Sequence, residues 1–189
     1  MLNDRMMVLG GRGDGGAPKG DVWSWDPSKS RWTSHPELTL DPPRFGHAAV
    51  TLGGAVYVFG GYTGVGANPF TRQMLKCTPG IGCVDAASAC PPGFVYDPPE
   101  TLTPRYLASM HSDGEFIYVY GASNVDAPDG FGAVFKFEPA SCIWRELSTE
   151  GPVQGRYEHA SVVAGGRLVV VGGHAKGVPQ PDVYMFPLH

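Results

Sequence analysis

The stretch Ala55-Val56-Tyr57-Val58-Phe59-Gly60-Gly61 decides the fold of this chain. Its first five residues are apolar, and most are β-branched or aromatic, which in so short a run predicts a strand buried on both faces. The Gly-Gly pair ends that strand, because glycine adopts turn conformations that other residues avoid. No helical pattern follows the pair, so it lacks the context of a nucleotide-binding loop.

The same pattern occurs four times along the 189 residues. The doublets begin at positions 10, 60, 121 and 172, so their spacings are 50, 61 and 51. An Arg lies 16 residues before three of the doublets, and an acid–Pro pair with a Trp six residues after the acid follows two of them. The residues at these repeated positions are Gly10, Gly11, Gly60, Gly61, Gly121, Gly172, Gly173, Arg44, His47, Arg105, Arg156, His159, Trp32 and Trp144.

Each repeat is predicted to form four short strands, which we name a to d. The Arg-led strand a turns at a Gly-Gly or Asp-Gly pair into the buried strand b, as in tight hairpins. Strand c alternates between apolar and polar residues, and strand d carries the Trp. One such unit cannot bury both of its faces, and four-stranded units of about 50 residues stack as the blades of a β-propeller.

The chain resembles the Kelch-repeat β-propeller family, within the galactose oxidase-like superfamily. The Gly doublets, the Arg-x-x-His of strand a and the acid–Pro…Trp element carry the resemblance, which spans essentially the whole chain. It departs from the family at Ala108, at Ala122 and in the absence of a Trp from the second repeat. The resemblance implies that the Arg and His residues fix neighbouring strands and that the Trp residues pack between blades.

We expect one all-β propeller segment of four blades, with repeats at about 1–43, 44–104, 105–155 and 156–189. The second repeat is longer than the first, and we expect its extra residues in a loop at 77–92 between strands c and d, with strand d at Phe94-Val95-Tyr96. The inventory b-c-d, a-b-c-d, a-b-c-d, a-b-c contains 14 strands. It predicts an incomplete arc of a larger propeller, or a truncated sequence. Such an arc exposes apolar faces and strand edges that favour self-association.

The four cysteines, Cys77, Cys83, Cys90 and Cys142, are candidates for disulfide bonds. Three of them lie within one Gly- and Pro-rich stretch, which favours a disulfide-stapled loop in an extracellular or lumenal parent protein. Reduced thiols in a cytoplasmic protein are the alternative, so the compartment stays open. Four cysteines allow three full pairings, and a bond from Cys142 to the cluster fits the predicted position of the c–d turns. The spacing Cys-x5-Cys-x6-Cys is not that of a zinc site, and we predict no metal ligand.

Charge excludes some partners. The chain has 14 Lys and Arg against 18 Asp and Glu, a net charge of −4, and no basic cluster. It therefore lacks the electrostatic signature of nucleic-acid or anionic-membrane binding. No apolar run approaches the roughly 20 residues of a membrane span. We expect neither of these partners and no cofactor.

Two classes of function are compatible with these features. The first is a non-catalytic protein–protein interaction module or scaffold that binds through blade loops, above all the long b–c loops at 12–21, 62–70, 123–132 and 174–182. The alternative is a fragment of a Kelch-propeller enzyme, galactose-oxidase-like or sugar epimerase-like. Channel-facing acid–base groups for such an enzyme would have to come from Arg44, Arg105, Arg156 and Glu158, and we assign no catalytic residue.

Overall fold

A computed structural model of the chain describes residues 2–124, 127, 129–147 and 154–188, and these residues contain strands and short 3-10 turns but no α-helix. Four antiparallel sheets contain 3, 4, 4 and 3 strands, paired in chain order within each sheet. The first sheet has strands β1 (Met6–Arg12), β2 (Pro18–Asp26) and β3 (Arg31–Ser34). The second has β4 (Ala48–Leu52), β5 (Ala55–Phe59), β6 (Met74–Thr78) and β7 (Gly82–Asp85). The third has β8 (Ser109–Ser112), β9 (Ile117–Tyr120), β10 (Val134–Glu138) and β11 (Ile143–Leu147).

The fourth sheet is formed by β12 (Ala160–Ala164), β13 (Arg167–Val171) and β16 (Val183–Pro187). Between β13 and β16, inside the predicted b–c loop 174–182, a small hairpin pairs β14 (His174–Ala175) with β15 (Val178–Pro179). The 3-10 turns lie at Asp14–Gly16, Pro36–Leu38 and Ala86–Ala89. The prediction of an all-β chain with four sheets in the order b-c-d, a-b-c-d, a-b-c-d, a-b-c is confirmed.

The prediction for strand d of the second sheet is wrong. That strand is β7, which pairs with β6 directly after a tight turn, and residues 94–96 form no strand. The Ile81 amide donates to the Thr78 carbonyl at 3.0 Å, with Pro79 and Gly80 between them and Gly80 at a φ of 76°. Pro followed by Gly at these positions is the sequence of a type II turn. The longer second repeat therefore has its extra residues after strand d, and the stretch 77–92 is not a single c–d loop.

The segment that follows β7 closes the space between the second and third sheets. The Tyr96 ring lies 5.8 Å from the Phe137 ring and 6.2 Å from the Trp144 ring of the third sheet. Leu102 is buried in the same cluster. A disulfide joins Cys90 of this segment to Cys142 in the c–d turn of the third sheet. The extra residues thus act as packing between two sheets.

The first glycine of each of the first three doublets lies against the main chain of the next repeat. A Cβ atom on Gly60 would stand 2.6 Å from the carbonyl oxygen of Arg105, and the φ of Gly60 is 70°. The amide of Gly61 donates to that same carbonyl at 2.9 Å. The first and third doublets repeat both contacts with the next Arg along the chain, through Gly10 and Gly11 to Arg44 and through Gly121 and Ala122 to Arg156.

We predict that Gly60→Ala lowers the free energy of unfolding by at least about 3 kcal/mol, because the new methyl group meets a main-chain oxygen that cannot move aside. The matched control is Gly66→Ala, whose φ of 76° is similar but whose Cβ would have no neighbour within 4 Å. The free energy of unfolding of this control should fall by only about 1 kcal/mol, the cost of placing a residue with a Cβ atom in the left-handed conformation. Urea unfolding of both variants measures the difference, and equal losses would contradict the close-approach explanation.

We also predict different effects for the two disulfides. Cys77 and Cys83 face each other across the β6–β7 hairpin, with a sequence separation of 6, whereas Cys90 and Cys142 are separated by 52. Because a disulfide lowers the entropy of the unfolded chain, we expect the bond with the longer separation to stabilise the folded state by about 4 kcal/mol and the shorter one by about 2 kcal/mol. Replacement of each pair by two alanines, followed by urea unfolding, should give losses in that order. The reverse order would show that chain entropy does not dominate.

Candidate functional site

The repeated Arg residues are buried and bind the main chain. Arg44, Arg105 and Arg156 have an exposed fraction of 0 %. One guanidinium nitrogen of Arg105 donates to the Gly121 carbonyl at 3.3 Å, and Arg44 makes the same bond to Gly60 at 3.3 Å. For Arg44 and Arg105, the 16-residue interval between the Arg and its doublet in the sequence corresponds to this hydrogen bond. Burial lowers the pKa of Arg44 and of Arg105 to about 10, so both stay charged at neutral pH.

Arg156 binds a side chain instead. Its Nη2 donates to both carboxylate oxygens of Asp182 at 2.8 Å, and its guanidinium lies 5.1 Å from the centre of the Tyr184 ring. Glu158, the one acidic candidate for catalysis, is exposed, and its Oε2 lies 3.3 Å from Nδ1 of His174. The Arg groups nominated as acid–base residues are therefore engaged in contacts within the protein.

Histidine and serine side chains link strand a of the third sheet, β8, to strand a of the fourth sheet, β12. Nε2 of His111 lies 2.7 Å from Oγ of Ser161, and Nε2 of His159 lies 2.8 Å from Oγ of Ser109. Burial lowers the pKa of His159 to about 4, with His111 and Arg156 adding to the effect. In the described ranges, the partner of each ring is a serine hydroxyl and not a carboxylate. These pairs tie the two strands together.

His47 holds the equivalent position in the second repeat. Burial lowers its pKa to about 4, with Arg44 contributing, so the ring is neutral at physiological pH. Across the residues with a described structure, no group of three or more His, Cys, Asp and Glu side chains is placed to hold a metal ion. The same residues include no helix of the length and apolarity needed to cross a membrane.

The antiparallel order of the strands places the b–c loops and the d–a connections on one side of the sheets, which we call the b–c face. The a–b and c–d turns lie on the opposite side. On the b–c face, the residue after each buried Arg pairs with the residue after the doublet of its own repeat. These isolated bridges join Phe45 to Tyr62, Tyr106 to Ser123 and Tyr157 to His174.

Four rings and one cation form a continuous group on this face, which we call the aromatic patch: Arg12, Phe45, Tyr62, Phe70 and Tyr106. The Phe45 ring lies 4.9 Å from Tyr62 and 5.8 Å from Tyr106. Phe70 lies 5.6 Å from Tyr62 and 5.9 Å from Tyr106. The Arg12 guanidinium stands 5.6 Å from the centre of the Phe45 ring. All four rings are half-buried, so each is held by its neighbours and still reaches solvent.

The sequence interpretation did not assign the aromatic patch. Its signal was present, because an aromatic residue follows each repeated Arg, as Phe45, Tyr106 and Tyr157. The patch brings together the first, second and third repeats, and Gly46 lets it form, since any side chain there would overlap the Tyr106 ring. Contacts between repeats of this kind cannot be seen in one repeat alone.

A groove of about 580 Å³ is lined mainly by residues that come after Phe70 in the sequence. Its lining includes Arg72, Gln73 and Asp85. Gln73 accepts a hydrogen bond from Arg44 and donates to an Asp85 carboxylate oxygen at 2.8 Å. The groove therefore offers an exposed cation and an anchored carboxylate beside the aromatic patch.

The Trp positions differ between repeats. Trp144 is buried between the second and third sheets, with its ring 6.0 Å from Phe59. Trp32, at the same position in the first repeat, is 45 % exposed and lies 5.3 Å from Trp25. A packing role between sheets describes Trp144, and Trp32 lies on a sheet face that no other described sheet covers.

Comparisons with known proteins agree with the repeat pattern. The Kelch motif family matches residues 43–73 and 155–186. Alpha-scruin of Limulus polyphemus is 37 % identical over 189 residues, 97 % of this chain and 20 % of its own length. Human Kelch domain-containing protein 3 is 24 % identical over 237 aligned residues, 96 % of this chain and 60 % of its own length. The tRNA wybutosine-synthesizing protein 2/3/4 of Arabidopsis thaliana is 44 % identical over 62 residues, 32 % of this chain and 6 % of its own length.

These likenesses and the four sheets confirm the Kelch-repeat resemblance, and the architecture is that of a partial Kelch β-propeller. The chain spans 60 % or less of the length of each of these three relatives. The relatives are mostly named for Kelch domains or as scruins.

We predict that stability falls as the pH is lowered from about 6.5 towards 4. The unfolded chain binds protons on His47 and His159 near the ordinary histidine pKa, whereas the folded chain binds them only near pH 4. Between these two pH values the unfolded state therefore binds more protons, and a falling pH favours unfolding. Above this pH range the contribution is fully present. Urea unfolding at several pH values measures how the free energy of unfolding depends on pH. The slope of this dependence between pH 4 and 6.5 should be smaller in the double variant His47→Asn, His159→Asn than in the wild type. The control His35→Asn leaves both buried rings in place and should keep the slope, and an unchanged slope in the double variant would contradict the assignment.

Proposed function

We propose that this Kelch-repeat chain is a non-catalytic protein-interaction module that binds a polypeptide through its b–c face. The observation that supports the proposal most is the aromatic patch beside the groove. It is built from loops and strand ends of three repeats that a rigid set of sheets positions, as in other folds whose loops carry recognition.

The composition of the patch suits protein binding. Tyr, Phe and Arg are enriched at the centres of protein interfaces, where rigid rings supply contact area at low entropic cost. The rings of Phe45, Tyr62 and Phe70 already contact one another, so little ordering remains to be done on binding. Arg72 and Asp85 in the groove can pair with the charged and main-chain groups of a peptide.

The buried arginines support a non-catalytic role. Arg44 and Arg105 direct their guanidinium groups to main-chain carbonyls of their own and the preceding repeat, as positions that hold sheets in place do. The chain spans only part of each relative, so the partners of those proteins do not define its partner. The partner is thus defined by chemistry, as a polypeptide that presents apolar and charged side chains to the patch and groove.

We expect peptides selected by display on the purified chain to depend on the aromatic patch. Tyr62→Ala removes a ring that contacts two others, and Arg12→Ala removes the exposed cation without disturbing the packing of the rings. Loss of an aromatic anchor of this kind costs about 2 kcal/mol or more, at least a tenfold rise in Kd. Fluorescence anisotropy with the selected peptides measures the change.

The matched control is Ile81→Ala, in the c–d turn on the opposite side, where the side chain is 77 % exposed. It should bind the selected peptides as the wild type does. Selected peptides that bind Tyr62→Ala and Arg12→Ala with wild-type affinity, or that depend on Ile81, would place the binding surface elsewhere.

A further inference from the structure

The main-chain groups beneath the aromatic patch are already paired within the chain. The Phe45 amide donates to the Tyr62 carbonyl at 3.1 Å, and the Tyr62 amide donates to the Phe45 carbonyl at 2.8 Å. Tyr106 and Ser123 exchange the same two bonds, at 2.9 and 2.8 Å. A peptide that adds a strand to a sheet is held by main-chain hydrogen bonds of this kind. A ligand that lies over these rings is therefore recognised through side chains and not by strand addition.

Hydrogen-bond acceptors that line the groove are also engaged within the chain. The Thr71 carbonyl accepts from the Arg105 amide at 3.1 Å. One carboxylate oxygen of Asp85 accepts from the Gln73 side chain at 2.8 Å, and the other accepts from the Ala87 amide at 2.9 Å. A groove whose acceptors are used in this way offers few places for the N–H groups of a ligand.

The polar groups that stay free on this surface are donors. The hydroxyls of Tyr62 and Tyr106 reach solvent, and neither is hydrogen-bonded to any residue that the structure describes. Arg12 and Arg72 are exposed, and within the same part of the chain neither guanidinium forms a hydrogen bond or an ion pair. An Arg side chain can only donate, and a Tyr hydroxyl can donate as well as accept. Patch and groove together therefore present aromatic rings and unused N–H and O–H groups.

We propose that the polypeptide bound at the patch and groove is a proline-rich segment in the polyproline II conformation. This inference rests on the proposed function and defines its ligand. Polyproline II has no internal hydrogen bonds, so its carbonyls are free to accept, and each proline lacks an N–H group. Such a segment supplies acceptors and few donors, which is the complement of this surface. Its pyrrolidine rings pack on aromatic side chains, as Pro-x-x-Pro segments do in other aromatic grooves.

The rings of the patch are held in place before a ligand arrives. Phe45 contacts both Tyr62 and Tyr106, and Phe70 contacts the same two residues, so the four rings form a closed group. Tyr106 also lies directly over Gly46, where any side chain would overlap it. A polyproline II segment is likewise formed before it binds. Neither partner then loses much conformational entropy, which is a large cost in the binding of flexible peptides.

Fluorescence anisotropy with a labelled oligoproline tests the inference on the full chain. The oligoproline should bind. A peptide of the same length with alanine at alternate positions contains no two prolines three residues apart, and it regains N–H groups. Its Kd should be at least about tenfold higher, as for the loss of an anchor at an interface.

Conservative variants test the donors separately from the rings. Tyr62→Phe and Tyr106→Phe keep each ring and remove one hydroxyl, so each should raise the Kd of the oligoproline about three- to tenfold. The matched control is Tyr157→Phe. Tyr157 holds the equivalent position in the fourth repeat, directly after Arg156, and lies outside the patch. This variant should bind the oligoproline as the wild type does.

Peptides selected by display from an unbiased library separate a failure of this inference from a failure of the proposed function. They should contain prolines three residues apart and should bind Tyr62→Phe more weakly than the wild type. Selected peptides that depend on Arg12 and Tyr62 but lack such prolines would overturn this inference and leave the proposed function standing. An oligoproline that does not bind, or that binds no better than the alternating peptide, would overturn it in the same way. Selected peptides that bind independently of the patch would overturn the proposed function itself, and this inference with it.

Discussion

The remaining structure depends on one contact, the hydrogen bond that the main-chain carbonyl of each buried Arg accepts from the doublet of the preceding sheet. Arg105 accepts the Gly61 amide of the preceding sheet at 2.9 Å, while its side chain donates to the Gly121 carbonyl of its own sheet at 3.3 Å. One residue thus connects two consecutive sheets, and the close approach leaves room for glycine only. Because the donors of the guanidinium are used on carbonyls, a charge that would be costly to bury is held by hydrogen bonds.

The same contact positions the binding surface. Arg44 is fixed against the doublet Gly60-Gly61 of its own repeat. The residues that follow them in the chain, Phe45 and Tyr62, therefore lie side by side. Phe45 and Tyr62 are half-buried, next to the fully buried Arg44 and the buried Gly61. The framework therefore determines where the rings of the aromatic patch lie, and the loops determine which rings they are.

Sequence reasoning predicted what recurs and missed what does not. The doublets and the Arg positions are local and periodic, so they predicted four sheets and their strands. Strand d of the second sheet was predicted at Phe94-Val95-Tyr96, but the turn at Pro79-Gly80 places it at β7, and Tyr96 instead packs against Trp144. The aromatic patch was missed because its rings belong to separate repeats, and only the rotation from sheet to sheet brings them together.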